Sequence, residues 1–178
     1  MVAHLSEVSG AGVALLDTVR GLDPARFACT LVLPGEGPLA ARARAAGVEP
    51  VIVPNPEVAM TESGLFRRIA LLGARAAYVA RLARFLRRGG FRLAYVSSTY
   101  SVFAGLAARL AGIRVVWHVH ETIEKPGRAL RAKLWMIERM ASGLLYASRT
   151  GMESFPARRV RRRMVVRNAV DEIGRAHV

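Results

Sequence analysis

Two hydrophobic periods alternate along the chain. Short apolar runs bounded by Gly, Pro or polar residues read as buried strands; longer stretches with apolar residues every three or four positions read as amphipathic helices. Val2–Leu5 predicts a first strand, followed by the small-residue loop Ser6–Gly12. Val13, Leu15, Leu16, Val19 and Leu22 then mark a helix that closes near Gly21. Ala28–Leu33 predicts a second strand stopped by Pro34, and Pro38 suits the first turn of a helix over Leu39–Ala46. Pro50–Val53 reads as a third strand. Residues 54–63 read as a polar loop in which Thr61 or Ser63 caps the next helix. That helix is expected over Gly64–Arg88, with Leu65, Ile69, Leu72, Ala76, Val79 and Ala83 as its core face.

Leu93–Val96 predicts a fourth strand, and the hydroxyl-rich loop Ser97–Ser101 leads into a helix over Val102–Ala111. Ser98 or Ser101 is placed to cap that helix, and Phe103, Leu106 and Leu110 have core spacing. A fifth strand, Arg114–His118, runs into Val119-His120-Glu121. A helix over Ala129–Ala141 turns Leu130, Leu134, Ile137 and Ala141 inward. Gly143–Ala147 forms a sixth strand, Ser148 caps a short helix to Phe155, and Met164–Val166 forms a seventh strand. Regular strand–helix alternation predicts an α/β fold with a doubly wound parallel sheet, Rossmann-like, and helices on both faces. Ligands of such sheets sit outside the carboxyl ends of the strands. The residues just after each strand are therefore the ones with chemical interest.

Among these, Val115-Val116-Trp117-His118-Val119-His120-Glu121 stands out. His118 and His120 alternate with Trp117 and Val119, so both histidines share one strand face. His118, deeper in the strand, reads as a hydrogen-bonded structural residue. His120 stands at the edge and is either a plain edge histidine or a functional one. A His-x-His pair can bind metal, but no further ligands cluster with it by sequence and Cys29 is remote, so no metal is expected. Near the N-terminus, a strand, a turn with Gly10 and Gly12 and a helix make an arrangement that can cradle phosphate on backbone N–H groups. No Lys-Ser/Thr follows the glycines and the dinucleotide fingerprint is not matched, so a tight strand-to-helix turn is the alternative.

Composition narrows the classes. The 178 residues are enough for one domain with a full core, and 52% are hydrophobic. No apolar run reaches bilayer length, the N-terminus lacks signal-peptide order, and Cys29 is the single cysteine, which together favour the cytoplasm. The formal net charge is +14, carried by Arg except at Lys125 and Lys133. Such charge suits an anionic membrane surface or a phosphorylated substrate; nucleic acid is disfavoured because no nucleic-acid motif is present. Arg67, Arg81, Arg84 and Arg88 form the outer face of the long helix, either simply solvated or in contact with anionic lipid at the inner face of the membrane. Arg158–Arg163 reads as a basic solvated connector.

Several motifs in order carry a resemblance: Ser9-Gly10-Ala11 after the first strand, Leu33-Pro34-Gly35-Glu36-Gly37-Pro38-Leu39, Leu106–Ile113, His120-Glu121, Glu138-Arg139 through Ala147-Ser148, and Val166-Arg167-Asn168-Ala169-Val170-Asp171. In that order and spacing the chain resembles the N-terminal domain of glycosyltransferase family 4, retaining sugar-nucleotide enzymes of the GT-B fold. Ser9, Gly12, Arg167 and Ala169 depart from the family pattern. The resemblance implies an acceptor-side domain over residues 1–171. It implies donor-phosphate contact at Gly10, Ala11 and Gly12, catalytic roles for His120 and Glu121, and an acceptor-side lining from Ser98, Thr99 and Tyr100. The nucleotide sugar would be a substrate, with no cofactor, and a second domain would hold most of the donor. A non-catalytic basic binding module and a nucleotide-sugar epimerase of the same fold are the alternatives. Residues 172–178, Glu-Ile-Gly-Arg-Ala-His-Val, break the pattern. The codons GAG ATC GGA AGA GCA CAC GTC spell both that string and a short-read sequencing adapter, so the expectation is a non-native tail and a natural chain that continues past Asp171.

Overall fold

Val2 is the residue on which the two halves of the sheet meet. It bridges in parallel to Val32 on one side and to Val96 on the other. The computed structural model describes residues 1–56 and 65–166, without the side chains of residues 65–69. Its strands are β1 (Val32–Leu33), β2 (Val51–Ile52), β3 (Leu93–Ser97), β4 (Arg114–Val119), β5 (Gly143–Tyr146) and β6 (Arg163–Val165). The helices are α1 (Gly10–Gly21), α2 (Pro38–Ala45), α3 (Leu65–Arg88), α4 (Val102–Leu110), α5 (Arg128–Met140) and α6 (Arg149–Ser154). All strand pairings are parallel, and the order across the sheet is β2, β1, the Val2 segment, β3, β4, β5, β6. The chain runs outward in one direction from Val2 and then in the other from β3. The topological switch point therefore lies between Val2 and β3.

Each face of the sheet has its own core. Val96, Val115, Trp117, Val119, Leu144 and Tyr146 pack under α3, α4 and α5, while Leu15, Leu16, Leu33, Leu39, Ala40 and Ala43 join α1 and α2 to the other face. Trp117 is fully buried, and the helix above it must have glycine at position 105: a Cβ there would stand 2.0 Å from the indole Cη2. Beyond the reach of α1 and α2, Val116, Leu145 and Met164 line an open groove of about 390 Å³.

The structure corrects the sequence reading at several elements. The strands read at Ala28–Leu33 and Pro50–Val53 shorten to β1 and β2, and neither Ser98 nor Ser101 caps α4 with its side chain, the Ser101 hydroxyl donating to Ser97 O instead. The first strand contracts to the bridge at Val2, because the chain after it is drawn onto α2: Leu39 N–H donates to Ser6 O at 2.9 Å, and Gly37 passes so close that a Cβ would lie 2.9 Å from Ser6 O. On α3 the buried face is Tyr78, Val79, Leu82, Ala83 and Leu86; Leu72 is 63% exposed and Ala76 is exposed too. At ~1.5 Å per residue a helix of this length outruns a five-residue strand by about a factor of two, so around Leu72 and Ala76 it runs past the core; the side chains of Leu65 and Ile69 lie outside the described residues. On α4 the small residues Ala104, Gly105, Ala107 and Ala108 face the sheet, Phe103 and Leu106 sit at the flank, and Leu110 is 56% exposed. The bulk of Trp117 leaves room only for small side chains beneath that helix. Caps at Thr61 or Ser63, the segment Arg167–Asp171 and the tail 172–178 lie outside the described residues. Among the described residues no helix is long and apolar enough to cross a membrane.

Candidate functional site

At the switch point the end of β3 makes a strained turn. Ser98 adopts φ +73°, left-handed for a residue with a Cβ, a conformation that persists only when its surroundings enforce it. Three neighbours do so. The Trp117 indole N–H donates to Ser98 O at 2.9 Å, Ser98 N–H donates to His118 O at 2.9 Å, and Ser98 Oγ donates to Glu121 Oε1. Thr99 N–H reaches both oxygens of the same carboxylate at 3.2 Å, and His120 N–H donates to Oε2 at 3.2 Å. Glu121 thus ties the end of β4 to the loop after β3. Ser98 and Thr99 are 0% and 2% exposed, with the Ser98 hydroxyl and the Thr99 N–H donating to Glu121; of the three expected lining residues only Tyr100, at 56%, presents a surface.

The two histidines share a face as the alternation predicts, with ring centroids 4.0 Å apart. His118 is buried, and its Nδ1 is hydrogen-bonded to the Tyr95 hydroxyl. Burial, then the neighbouring His120, pushes the His118 pKa down to about 4. Burial pushes the Tyr95 phenol up to about 12, partly offset by a hydrogen bond with Thr18. Both groups are therefore neutral near pH 7, and with the phenol as donor His118 carries its proton on Nε2. His120 is also lowered by burial, with Glu121 opposing and His4 reinforcing the shift. Among the described residues neither ring nitrogen of His120, nor Nε2 of His118, has a hydrogen-bond partner, and all three atoms are buried. An unpaired buried nitrogen is costly in a core.

Two residues join the site that the sequence reading did not single out. His4 ends the Val2 segment, lies against Tyr100 (ring centroids 6.1 Å, nearly parallel at 21°) and has its pKa lowered by burial against an opposing effect of Glu121. The topology supplies the signal: His4 and His120 both follow strands that flank β3, so both reach the edge where Ser98 turns. Lys133, on α5, holds its ammonium 5.7 Å from the Tyr100 ring centre. No group of His, Cys, Asp and Glu among the described residues gathers as a metal ligand set.

The glycine loop is the start of α1. Ser9 is its N-cap, accepting from Gly12 N–H at 3.2 Å. That bond commits the Gly12 amide, and a Cβ at Gly12 would lie 3.1 Å from Leu39, so Gly12 serves the packing of α1 on α2. Gly10 is exposed, with nothing within 4 Å of a Cβ placed there, and it and Ala11 keep first-turn amides without helical partners.

Fold and site together define a Rossmann-like domain with its candidate site at the strand carboxyl ends, on the switch point of a doubly wound sheet. The chain belongs to the glycosyl transferase 4-like domain family, whose profile matches residues 9–169. Among solved structures it is similar to Anabaena Alr3699/HepE in complex with UDP and glucose, with a TM-score of 0.73 and 17% identity over 96% of this chain and 44% of that one. It is similar also to Acinetobacter baumannii MurG, with a TM-score of 0.65 and 14% identity over 97% of this chain and 45% of that one. A putative UDP-N-acetylglucosamine 2-epimerase from Listeria monocytogenes follows at 0.56 and 16%, over 83% and 38%. At these identities the likeness carries the fold, that of a GT-B glycosyltransferase half. The chain spans less than half the length of these proteins. No curated protein sequence matches it.

Proposed function

We infer that this domain is the acceptor-binding half of a glycosyltransferase, moving a hexose from a nucleotide-sugar donor to a hydroxyl of a glycan, lipid or small-molecule acceptor. The observation that carries the reading is His120: a neutral imidazole at the switch point, both nitrogens unpaired, beside a carboxylate fixed by Ser98 and Thr99. Transfer develops positive charge on the sugar and negative charge on the departing diphosphate. The Gly10 and Ala11 amides and the positive end of α1 would face the diphosphate. His120 would take or orient the acceptor hydroxyl proton, and Glu121 would hold the His120 backbone in place and offset charge that develops on the ring. Tyr100, backed by His4 and Lys133, offers an aromatic and cationic wall to the acceptor. The reading calls on no metal and no cofactor, and the lone Cys29 supports a cytoplasmic setting. Because the HepE structure holds UDP and glucose, uridine diphosphate sugars are the first donors to test.

The test is nucleotide release and glycosylated product from the full-length gene product with a panel of sugar nucleotides. His120→Ala should lower turnover at least ~100-fold, the scale of a lost acid–base group. Product from the purified 178-residue chain would refute the division of the site between two domains. Epimerised sugar with no acceptor product would move the assignment to the epimerase reading, which shares the fold.

A further inference from the structure

The sequence reading offers the α3 arginines either as a solvated face or as a lipid contact; Arg81, Arg84 and Arg88 are exposed but engage neighbouring protein groups, and the Arg67 side chain lies outside the described residues. Arg81 reaches Pro54 O at 3.5 Å, Arg87 donates to Leu110 O at 2.7 Å, and Arg84 and Arg88 line a groove with Phe85 and Phe91. A second outward basic surface, with an aromatic at its centre, is on α5. At about 100° per residue, Arg128, Arg131, Ala132, Trp135 and Arg139 fall within an arc of about 100°, and all five are exposed. Leu130, Leu134 and Ile137 point the opposite way, into the core. No carboxylate lies on that arc. Glu138, at its border, accepts from the Arg159 N–H at 2.7 Å and so brings the basic connector 158–163 alongside. Among the described residues none of the three α5 arginines pairs with a carboxylate; Arg139 lies 4.8 Å over the Trp135 ring. Trp135 is 54% exposed at the centre of this surface.

An indole left in water among guanidiniums that pair with no described carboxylate matches the chemistry of the lipid headgroup boundary. The ring seats at the carbonyl level, and arginine stems run along it to reach phosphates. Single-stranded nucleic acid would call for further aromatics on which successive bases stack; the arc has one, flanked by alanine. We propose that the outward face of α5 is a docking surface for an anionic phospholipid bilayer, with Trp135 inserted at headgroup level and Arg128, Arg131 and Arg139 on lipid phosphates. The proposal is independent of the transferase reading.

The chain contains its own reporter. Of its two tryptophans, Trp117 is fully buried and hydrogen-bonded, so a change in emission on adding vesicles reports Trp135. With phosphatidylglycerol–phosphatidylcholine vesicles, emission should shift to the blue and become shielded from an aqueous quencher. Co-sedimentation should be at least ~10-fold stronger than with pure phosphatidylcholine. Trp135→Ser should weaken binding roughly tenfold, and the triple change Arg128→Ser, Arg131→Ser, Arg139→Ser should abolish it. Arg84→Ser with Arg88→Ser on α3 should leave it unchanged. All these side chains are exposed, and circular dichroism checks that each variant folds. Equal affinity for neutral vesicles, no sedimentation with anionic ones, or binding indifferent to the α5 changes would overturn the proposal. So would tighter, Trp135-dependent binding to single-stranded RNA at the same salt.

Discussion

β4 presents two unlike environments on its two faces. On one, Val115, Trp117 and Val119 are sealed beneath the helices, with no polar atom except the indole N–H, which has its acceptor. On the other, Val116 borders an open groove, His118 is buried against Tyr95, and His120 stands at the strand's carboxyl end with neither nitrogen paired among the described residues. A period of two residues thus assigns packing to one face and chemistry to the other. The faces are coupled at Ser98, whose carbonyl is held from the core face and whose hydroxyl is spent on Glu121 at the cleft. Rigidity on the packed face is what lets a strained turn and a fixed carboxylate stand on the open one.

The heaviest blow to this arrangement is Trp117→Ala. It should cost about 3–5 kcal/mol, the scale for removing a large buried aromatic, and it leaves the Ser98 carbonyl without its donor. Urea unfolding should show the midpoint falling, and the Thr99 amide should exchange faster even where the domain remains folded. Normal protection at Thr99 in a destabilised variant would separate the two faces that Ser98 is argued to join.

Of the two faces of β4, acid should act on the open one. The His118 pKa is depressed, to about 4 from an ordinary value of 6.5. Between these pH values the unfolded chain binds the proton and the folded chain does not. Stability is therefore complete above pH 6.5 and falls as pH drops toward 4, by roughly 2 kcal/mol after allowance for solvent near the cleft. The lowered His4 and His120 act in the same direction. His118→Gln should flatten that part of the stability-versus-pH curve. A slope unchanged in the variant would place the titration elsewhere.

Glu121→Gln tests the tether with a near-isosteric change. Its amide oxygen can still accept, but its NH₂ would meet donors from Thr99 or His120, which now contact carboxylate oxygens. A loss of about 1–2 kcal/mol follows from exchanging charge-assisted bonds for a mismatched one. Amide exchange at Thr99 and His120 should quicken, while core amides of β4 should respond only to the global loss. Uniform acceleration would mean that the carboxylate braces the whole sheet rather than the turn.

The strand–helix alternation and the shared face of His118 and His120 could be read from local periods, because both features depend on neighbours two to four residues away. Other features depend on distant parts. The core face of α3 fails at Leu72 because the helix outruns the sheet, a matter of relative length that a helical period does not contain. Large residues on α4 mark its flank because Trp117, from the next strand, already fills the space beneath it. Ser98-Thr99-Tyr100 reads as a surface loop by composition, yet a left-handed backbone at Ser98 and the carboxylate of Glu121 turn two of the three inward. His4 enters only once the strand order sets the first segment beside β3.

The smallest expected change in stability belongs to the residue with the largest expected role. His120→Ala removes a ring whose nitrogens have no partner in the protein, so little favourable hydrogen bonding is lost and an uncompensated burial is relieved. Its ring contact with His118 is the main debt against that gain. The two should leave the unfolding midpoint within about 0.5 kcal/mol of the parent, as for substitutions away from the core. In the full-length protein the same change should nevertheless depress turnover far more than it alters KM, since a group that moves or places a proton acts chiefly in the transition state. A His120→Ala variant that unfolds like Trp117→Ala would make the open face a second scaffold. One that folds normally and turns over normally would leave β4 with one working face, the packed one.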